Sequence, residues 1–293
     1  MRRMMTAISP SLFTFGCMSL GQDLSRLDDY VRVARTAMAA GVWFHASPTY
    51  HRGFTYMVLR LAFDEARSQV PPLLIKIRCG SARLLRFEVE DALRRLGVAQ
   101  IAVAQLVFTE TGPGPLVHDF LHGGPIAETC SALRREGKVA RFCPQCDVAS
   151  SAALVPLARR GAFDGFVLYL NPLQQDADAA LWQVLQEQRI PLWALRTVAG
   201  ALGDPVRYEQ RRREQPADSL LPAAARLRDC AQRLGCDWTE FCLRYARSVP
   251  GLQTTIGGTA DMAHLQRFLE VASVAQPLPA EVLAEIDAAR GAI

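Results

Sequence analysis

Lysine is almost missing from this chain: of its 33 basic residues only Lys76 and Lys138 are lysines, and the rest are arginines. A site served by either cation would nearly always carry arginine here, so a lysine marks a position where the compact amine itself matters. Long apolar runs are missing too, since none reaches the roughly 18 residues of a membrane span. Met1-Arg2-Arg3-Met4 is not followed by the apolar core and cleavage site of a signal peptide. The expected location is the cytoplasm, with no membrane partner. An excess of one charge is also absent: 33 basic against 29 acidic residues leave a formal net charge of +4, too balanced over this length for a nucleic-acid partner. Eight cysteines in 293 residues are too sparse for a disulfide scaffold and read as buried thiols in a reducing compartment. No low-complexity linker divides the chain, so residues 1–293 are expected to form one domain.

What is present is half hydrophobic and 21% charged, enough to bury a large core and incompatible with a disordered or fibrous chain. Eight short apolar runs recur along it: Phe13–Gly16, Val42–Phe44, Leu73–Ile77, Ile101–Leu106, Val139–Cys143, Gly165–Leu170, Leu192–Leu195 and Gln253–Ile256. Between them lie amphipathic stretches such as Asp28–Ala40, Arg86–Leu96, Ile126–Glu136, Ala179–Gln188 and Leu221–Leu234, several followed by a stop glycine: Gly41, Gly97, Gly137 and Gly235. Alternating strands and helices at this spacing predict an α/β fold, a single (β/α)8 TIM barrel. Two segments break the rhythm, the Gly- and Pro-rich Thr109–Gly124 after the fourth strand and the arginine-rich Gly203–Ser219 after the seventh. Both are expected as loops on the C-terminal face, where barrels carry binding and catalysis. Arg211-Arg212-Arg213 reads as a solvated charge run without a role.

Five segments, in order, carry a resemblance: Phe15-Gly16-Cys17-Met18-Ser19-Leu20-Gly21, Ala39-Ala40-Gly41-Val42-Trp43-Phe44, Leu93-Arg94-Arg95-Leu96-Gly97, Leu133-Arg134-Arg135-Glu136-Gly137-Lys138-Val139 and Thr255-Ile256-Gly257-Gly258-Thr259. From about Leu12 to Asp287 the chain resembles the aldo-keto reductase superfamily, (β/α)8 barrels whose members mostly reduce carbonyls with NADPH. The resemblance implies a catalytic tyrosine at Tyr50 and a lysine at Lys76. A tyrosine is a poor acid at neutral pH, and a neighbouring ammonium lowers its pKa by favouring tyrosinate. Two further positions of the family pattern differ: its aspartate is His45 here, and its histidine at the end of the fourth strand is Val107. Without a carboxylate the lysine's pKa should fall, and His45 or His51 could supply a replacement donor or base.

At the implied cofactor site the family's Ser-Asn pair is Gln145-Cys146, its sixth-strand glutamine is Val167, its stacking aromatic is Leu195 or Arg196, and its adenine-binding asparagine is Phe268. Ala260–His264 holds no Arg or Lys for a 2'-phosphate. Each lost partner of a buried polar group costs on the order of 1–3 kcal/mol. Gly257, Gly258 and Thr259 keep the phosphate turn before a helix whose N-terminus favours an anion. Cys143-Pro144-Gln145-Cys146 has the spacing of a redox or metal pair, but no second ligand pair accompanies it, and neither a metal nor a disulfide is expected.

Three functions follow from these residues. The first is an NADP(H)-dependent carbonyl oxidoreductase using Tyr50 and Lys76, with His45 beside them and Gly257, Gly258, Thr259, Gln145 and Cys146 toward the cofactor. The second is a cofactor-independent lyase, dehydratase or isomerase on the same barrel. The third is a non-catalytic binding relative. Tyr50 together with Lys76 favours an enzyme, the phosphate turn favours the first function, and the partner is a small carbonyl or hydroxyl compound.

Overall fold

The computed structural model describes residues 11–110, 112–199, 205–215 and 220–291. Its strands are β1 (Phe13–Gly16), β2 (Trp43–Ala46), β3 (Leu73–Arg78), β4 (Ile101–Val107), β5 (Val139–Cys146), β6 (Phe166–Asn171), the two-residue β7 (Gln174–Gln175), β8 (Leu192–Leu195) and β9 (Leu252–Gly258). Apart from β7, which folds back antiparallel on β6, all pair in parallel, and the circle closes where Gln145 and Cys146 meet Val167 and Leu168. The eight remaining strands form a closed (β/α)8 barrel. The helices around it are α1 (Leu27–Ala39), α2 (Phe54–Glu65), α3 (Ala82–Leu96), α4 (Gly114–His122), α5 (Pro125–Arg135), α6 (Val148–Arg159), α7 (Ala179–Glu187), α8 (Pro205–Glu214), α9 (Leu220–Arg233), α10 (Trp238–Ser248), α11 (Met262–Val274) and α12 (Ala280–Arg290).

Each of the eight apolar runs is a strand, because β-branched and aromatic residues buried on both faces suit a parallel sheet wrapped by helices. Local signals set the helix ends. Ser81 accepts from the Leu84 N–H at the start of α3, and Gly97, at φ 67°, closes it with its N–H on Leu93. Two expected loops are helical instead. Within Thr109–Gly124, Leu116, Val117, Phe120 and Leu121 line one side of α4 and pack against the core; that apolar spacing outweighs the glycines and prolines, which only punctuate its ends. Within Gly203–Ser219, Pro205–Glu214 forms α8, while 203, 204 and 216–219 lie outside the described residues. Arg212 there pairs with Glu209 at 2.7 Å.

The core has two shells. Helices pack on the outside of the sheet, whereas Trp43, Leu74, Val103, Cys143, Val167, Trp193, Leu195 and Ile256 form a separate buried cluster drawn from strands alone. Side chains alternate along a strand, so this cluster is the barrel interior. One step further along β2 to β6, toward the C-terminal end, the inward residue changes character: Trp43 gives way to His45, Leu74 to Lys76, Val103 to Gln105, Cys143 to Gln145 and Val167 to Tyr169. An apolar floor therefore carries a polar layer, and that layer opens at the barrel's C-terminal mouth.

Candidate active site

The polar layer is joined by hydrogen bonds. The Gln105 carboxamide donates to Gln145 Oε1 at 2.7 Å, which leaves its own oxygen to accept from His45 Nε2 at 2.9 Å. His45 is buried and Gln105 fully so. Burial first, and the Lys76 charge second, push the imidazole down to about 3, against the opposing effect of the Gln105 bond. His45 is thus a neutral ring whose Nε2 proton is committed to Gln105. Expected as a replacement donor or base, the ring here donates to Gln105, and its charge changes only well below neutral pH.

Tyr50 follows β2 in a tight turn, Tyr50–Gly53. Three successive left-handed residues, His51 (φ 47°), Arg52 (φ 57°) and Gly53 (φ 93°), swing the chain from the strand into α2. For the two non-glycine residues this conformation costs roughly 1–2 kcal/mol each, and tertiary contacts hold it. His51 Nε2 donates to the Met18 carbonyl, and Arg95 donates to the Gly53 carbonyl at 3.3 Å. His51, also considered as a base, therefore ties the Tyr50 turn to the segment after β1.

Lys76 Nζ lies 5.4 Å from the centre of the Tyr50 ring, within cation–π range. The His45 ring meets the same tyrosine edge-on at 6.2 Å. Among the described residues no carboxylate lies within 4.0 Å of Lys76. Burial, reinforced by the charge of Arg196, lowers its pKa, the direction expected when histidine replaces a carboxylate. Tyr50 behaves differently from the expectation that the ammonium would ease its ionisation. Burial raises its pKa, with smaller contributions from Cys17 and Tyr169, because the lysine faces the ring and its charge does not offset the loss of water. The pair is accordingly a phenol that keeps its proton beside an amine that releases one more readily than usual.

Two mouth residues, Gln105 and Tyr169, were absent from the sequence reading, and Arg196 entered it only as one of two candidates for a lost stacking position. Gln105 was legible in principle, as a lone polar residue at an inward position of an otherwise apolar strand. Tyr169 was not, nor was the stacking of the Arg196 guanidinium on it, because both depend on neighbouring strands. Arg196 sits just past β8 with φ 58°, its guanidinium 4.2 Å from the centre of the Tyr169 ring and its carbonyl accepting from Asn171 at 3.0 Å. A cavity of about 1040 Å³ borders this side of the mouth, lined by Asn171, Gln174, Asp176, Trp182, Arg196 and Arg290 among others. Val107 ends β4 at the rim with no polar side chain to offer.

The residues expected toward a cofactor separate in space. Gln145 points inward with the polar layer. Cys146 points outward, its thiol 3.3 Å from Ser151 Oγ and 3.1 Å from the Asp176 carbonyl, and burial pushes it up to about 12. The alternation that divides these two also puts Cys143 and Cys146 on opposite faces of β5, Cys143 inside the barrel and Cys146 in the outer shell. Gly257 faces outward, where a Cβ would press on Phe13 and Phe268. Those rings stack at 4.8 Å and 7°, so Phe268 is core. Gly258 is exposed at the mouth opposite Gly16, and a Cβ there would come within 2.8 Å of the Gly16 carbonyl. Thr259 Oγ1 accepts from the Asp261 N–H at 3.0 Å, and Asp261 in turn caps α11 by accepting from His264 N at 2.9 Å. The N-terminus of α11 therefore already carries an anion, whose pKa that backbone bond lowers.

Comparison with known proteins agrees with this architecture. No curated protein matches the chain. Among solved structures, an aldo/keto reductase from Klebsiella pneumoniae in complex with NADP and acetate is similar with a TM-score of 0.71 at 20% identity, covering 94% of this chain and 90% of that one. A Klebsiella pneumoniae aldo-keto reductase in complex with NADPH gives 0.71 at 18% identity with the same coverage. The holo form of an aldo-keto reductase from Bacillus halodurans gives 0.71 at 19%, covering 97% and 93%. The model of the aldo/keto reductase family matches residues 13–290, nearly the whole barrel, and the chain belongs to that family.

Proposed function

We propose that this protein is an NADP(H)-dependent oxidoreductase of small carbonyl or hydroxyl compounds, with Tyr50 as the group that gives or takes the proton at the substrate oxygen. The observation that carries this reading is the meeting of Tyr50 and Lys76 at the C-terminal mouth, 5.4 Å from ring centre to Nζ, on a barrel of this family. A phenol held protonated by burial is a competent donor to an oxygen that gains charge, and Lys76 stabilises the phenolate left behind. His45 and Gln105 orient the Gln145 carboxamide, whose N–H groups remain to bind a carbonyl oxygen at the rim. Solved relatives hold NADP or NADPH, and a bound nicotinamide would supply or accept the hydride.

The fit of that cofactor is uneven. Gln145 and the bare backbone of Gly258 suit a nicotinamide amide at the mouth. Farther out, Phe268 is stacked into the core and Asp261 occupies the helix N-terminus, so neither offers a partner for adenine or a phosphate. That second observation favours the alternative reading, an acid–base lyase, dehydratase or isomerase in which the same residues move protons and no dinucleotide binds. Titration with NADPH and with NADH, followed by fluorescence or calorimetry, separates the two. Micromolar binding supports the oxidoreductase, and no binding at millimolar cofactor rejects it. On a substrate found by metabolite pull-down, Tyr50→Phe should lower turnover by about 10²- to 10⁴-fold while keeping the ring's packing; full turnover would reject Tyr50 under both readings.

A further inference from the structure

We propose that Lys76 is a covalent site, an amine that condenses with the carbonyl carbon of a 2-oxo acid whose carboxylate is held by Arg196. The proposal shares Tyr50 and Lys76 with the reading above but needs no nicotinamide, so the two fail independently.

The geometry comes first. Lys76 reaches inward from β3 into a mouth lined, apart from Arg196, by groups that carry no acidic charge: the amides of Gln105 and Gln145, the His45 imidazole and the rings of Tyr50 and Tyr169. Among the described residues it makes no ion pair. The contrast with Lys138 is direct, since that ammonium lies 2.8 Å from both Glu90 and Glu136 and is held protonated by them. Of the two lysines in the chain, one is therefore held as a cation by two carboxylates, and the other stands without a carboxylate partner and gives up its proton more readily than usual. A desolvated lysine beside a second cation is the setting in which an ammonium gives way to a nucleophilic amine, and Arg196 is close enough for its charge to act on Lys76.

Arg196 also sets the substrate class. Its guanidinium lies over the Tyr169 ring and makes no ion pair among the described residues. Asp176 senses its charge without forming an ion pair with it. An arginine fork free at a mouth that already holds a lysine suits a carboxylate, bound in the paired geometry that lysine cannot offer. A 2-oxo acid puts the electrophilic carbon next to that carboxylate.

The step balances within these groups. The Lys76 nitrogen lone pair forms the C–N bond as the carbonyl π pair moves to oxygen, and Tyr50 gives that oxygen a proton. One amine proton then passes to the Tyr50 phenolate and the other to the hydroxyl, and as the nitrogen lone pair forms the C=N bond the C–O bond breaks and water leaves, giving an imine. Tyr50 recovers its proton in the exchange. The high pKa of Tyr50, inconvenient for forming tyrosinate, suits a group that must arrive protonated.

The test is reductive trapping without nicotinamide: the full chain is incubated with pyruvate and sodium cyanoborohydride, and its peptides are mapped by mass spectrometry. The expected result is a reduced adduct at Lys76 exceeding that at Lys138 by about tenfold or more, as for a desolvated amine against one held in two ion pairs. Lys76→Arg should remove it. Arg196→Gln should lower trapping of pyruvate by a larger factor than trapping of uncharged acetaldehyde, since only the former loses its carboxylate partner. Equal labelling of the two lysines, or none at Lys76, overturns the covalent site. Labelling by acetaldehyde but not by pyruvate overturns the assignment of 2-oxo acids. Mapping the unmodified protein gives the Lys76 to Lys138 ratio even if a variant fails to fold.

Discussion

The buried imidazole of His45 ties the chemistry of the mouth to the stability of the barrel. Its folded pKa, about 3, lies below the ordinary value of about 6.5 for an unfolded chain, so between these values the unfolded state binds the extra proton. Stability associated with this group is complete above about pH 6.5 and declines as the pH falls toward 3. Most carboxylates remain ionised down to pH 5, so the interval from 6.5 to 5 isolates histidine. Denaturant midpoints measured across that interval should fall with decreasing pH, and His45→Gln should flatten the slope. The same burial explains how far the residue could be anticipated. Histidine at position 45 suggests a titrating group from composition alone, and only the dry surroundings and the Lys76 charge reverse that.

Among the elements, β5 and β8 show how strand alternation turns a linear motif into two unrelated positions. Cys143 and Cys146 look like a pair on paper but stand on opposite faces, because an odd separation along a strand always does so. Beneath them the interior is closed by large rings. Trp193 from β8 is fully buried and occupies the space that a side chain at Gly165 would need. A Cβ there would overlap the Trp193 ring and the Pro191 carbonyl. Gly165→Ala should therefore destabilise the protein by about 1–3 kcal/mol, as overpacking does, read as a lower urea midpoint. Trp193→Leu in the same chain should recover part of the loss of Gly165→Ala, since the two changes share one space. Additive losses would mean that the backbone, not the ring, bears the overlap.

For the whole molecule the closing seam is the place to look for motion. β3 and β4 pair from Leu74 with Val103 through Arg78 with Val107, whereas β5 and β6 meet only through Gln145 with Val167 and Cys146 with Leu168. Local opening starts where a structure has fewest backbone bonds to break. In native-state hydrogen exchange the amides of Val167 and Leu168 should exchange earlier than those of Ile75 and Ile77. Exchange at one common rate would show that the barrel opens as a unit. The seam borders Gln145, so slow closure there would also loosen the polar layer.

The sequence by itself determined the barrel: eight apolar runs and the helices between them are local patterns, and burying both faces of a parallel sheet leaves few other ways to satisfy them. It also singled out Tyr50 and Lys76, the lysine by its rarity in an arginine-rich chain. Tertiary structure alone decided what those residues can do. A pKa depends on water and charges brought in from other strands, so the neutrality of His45, the protonated Tyr50 and the unpaired Lys76 are properties of the mouth and not of any segment. The same holds for Phe268 and Asp261, which read as gaps in a cofactor site along the chain and prove to be filled, one by an aromatic stack and the other by a helix cap.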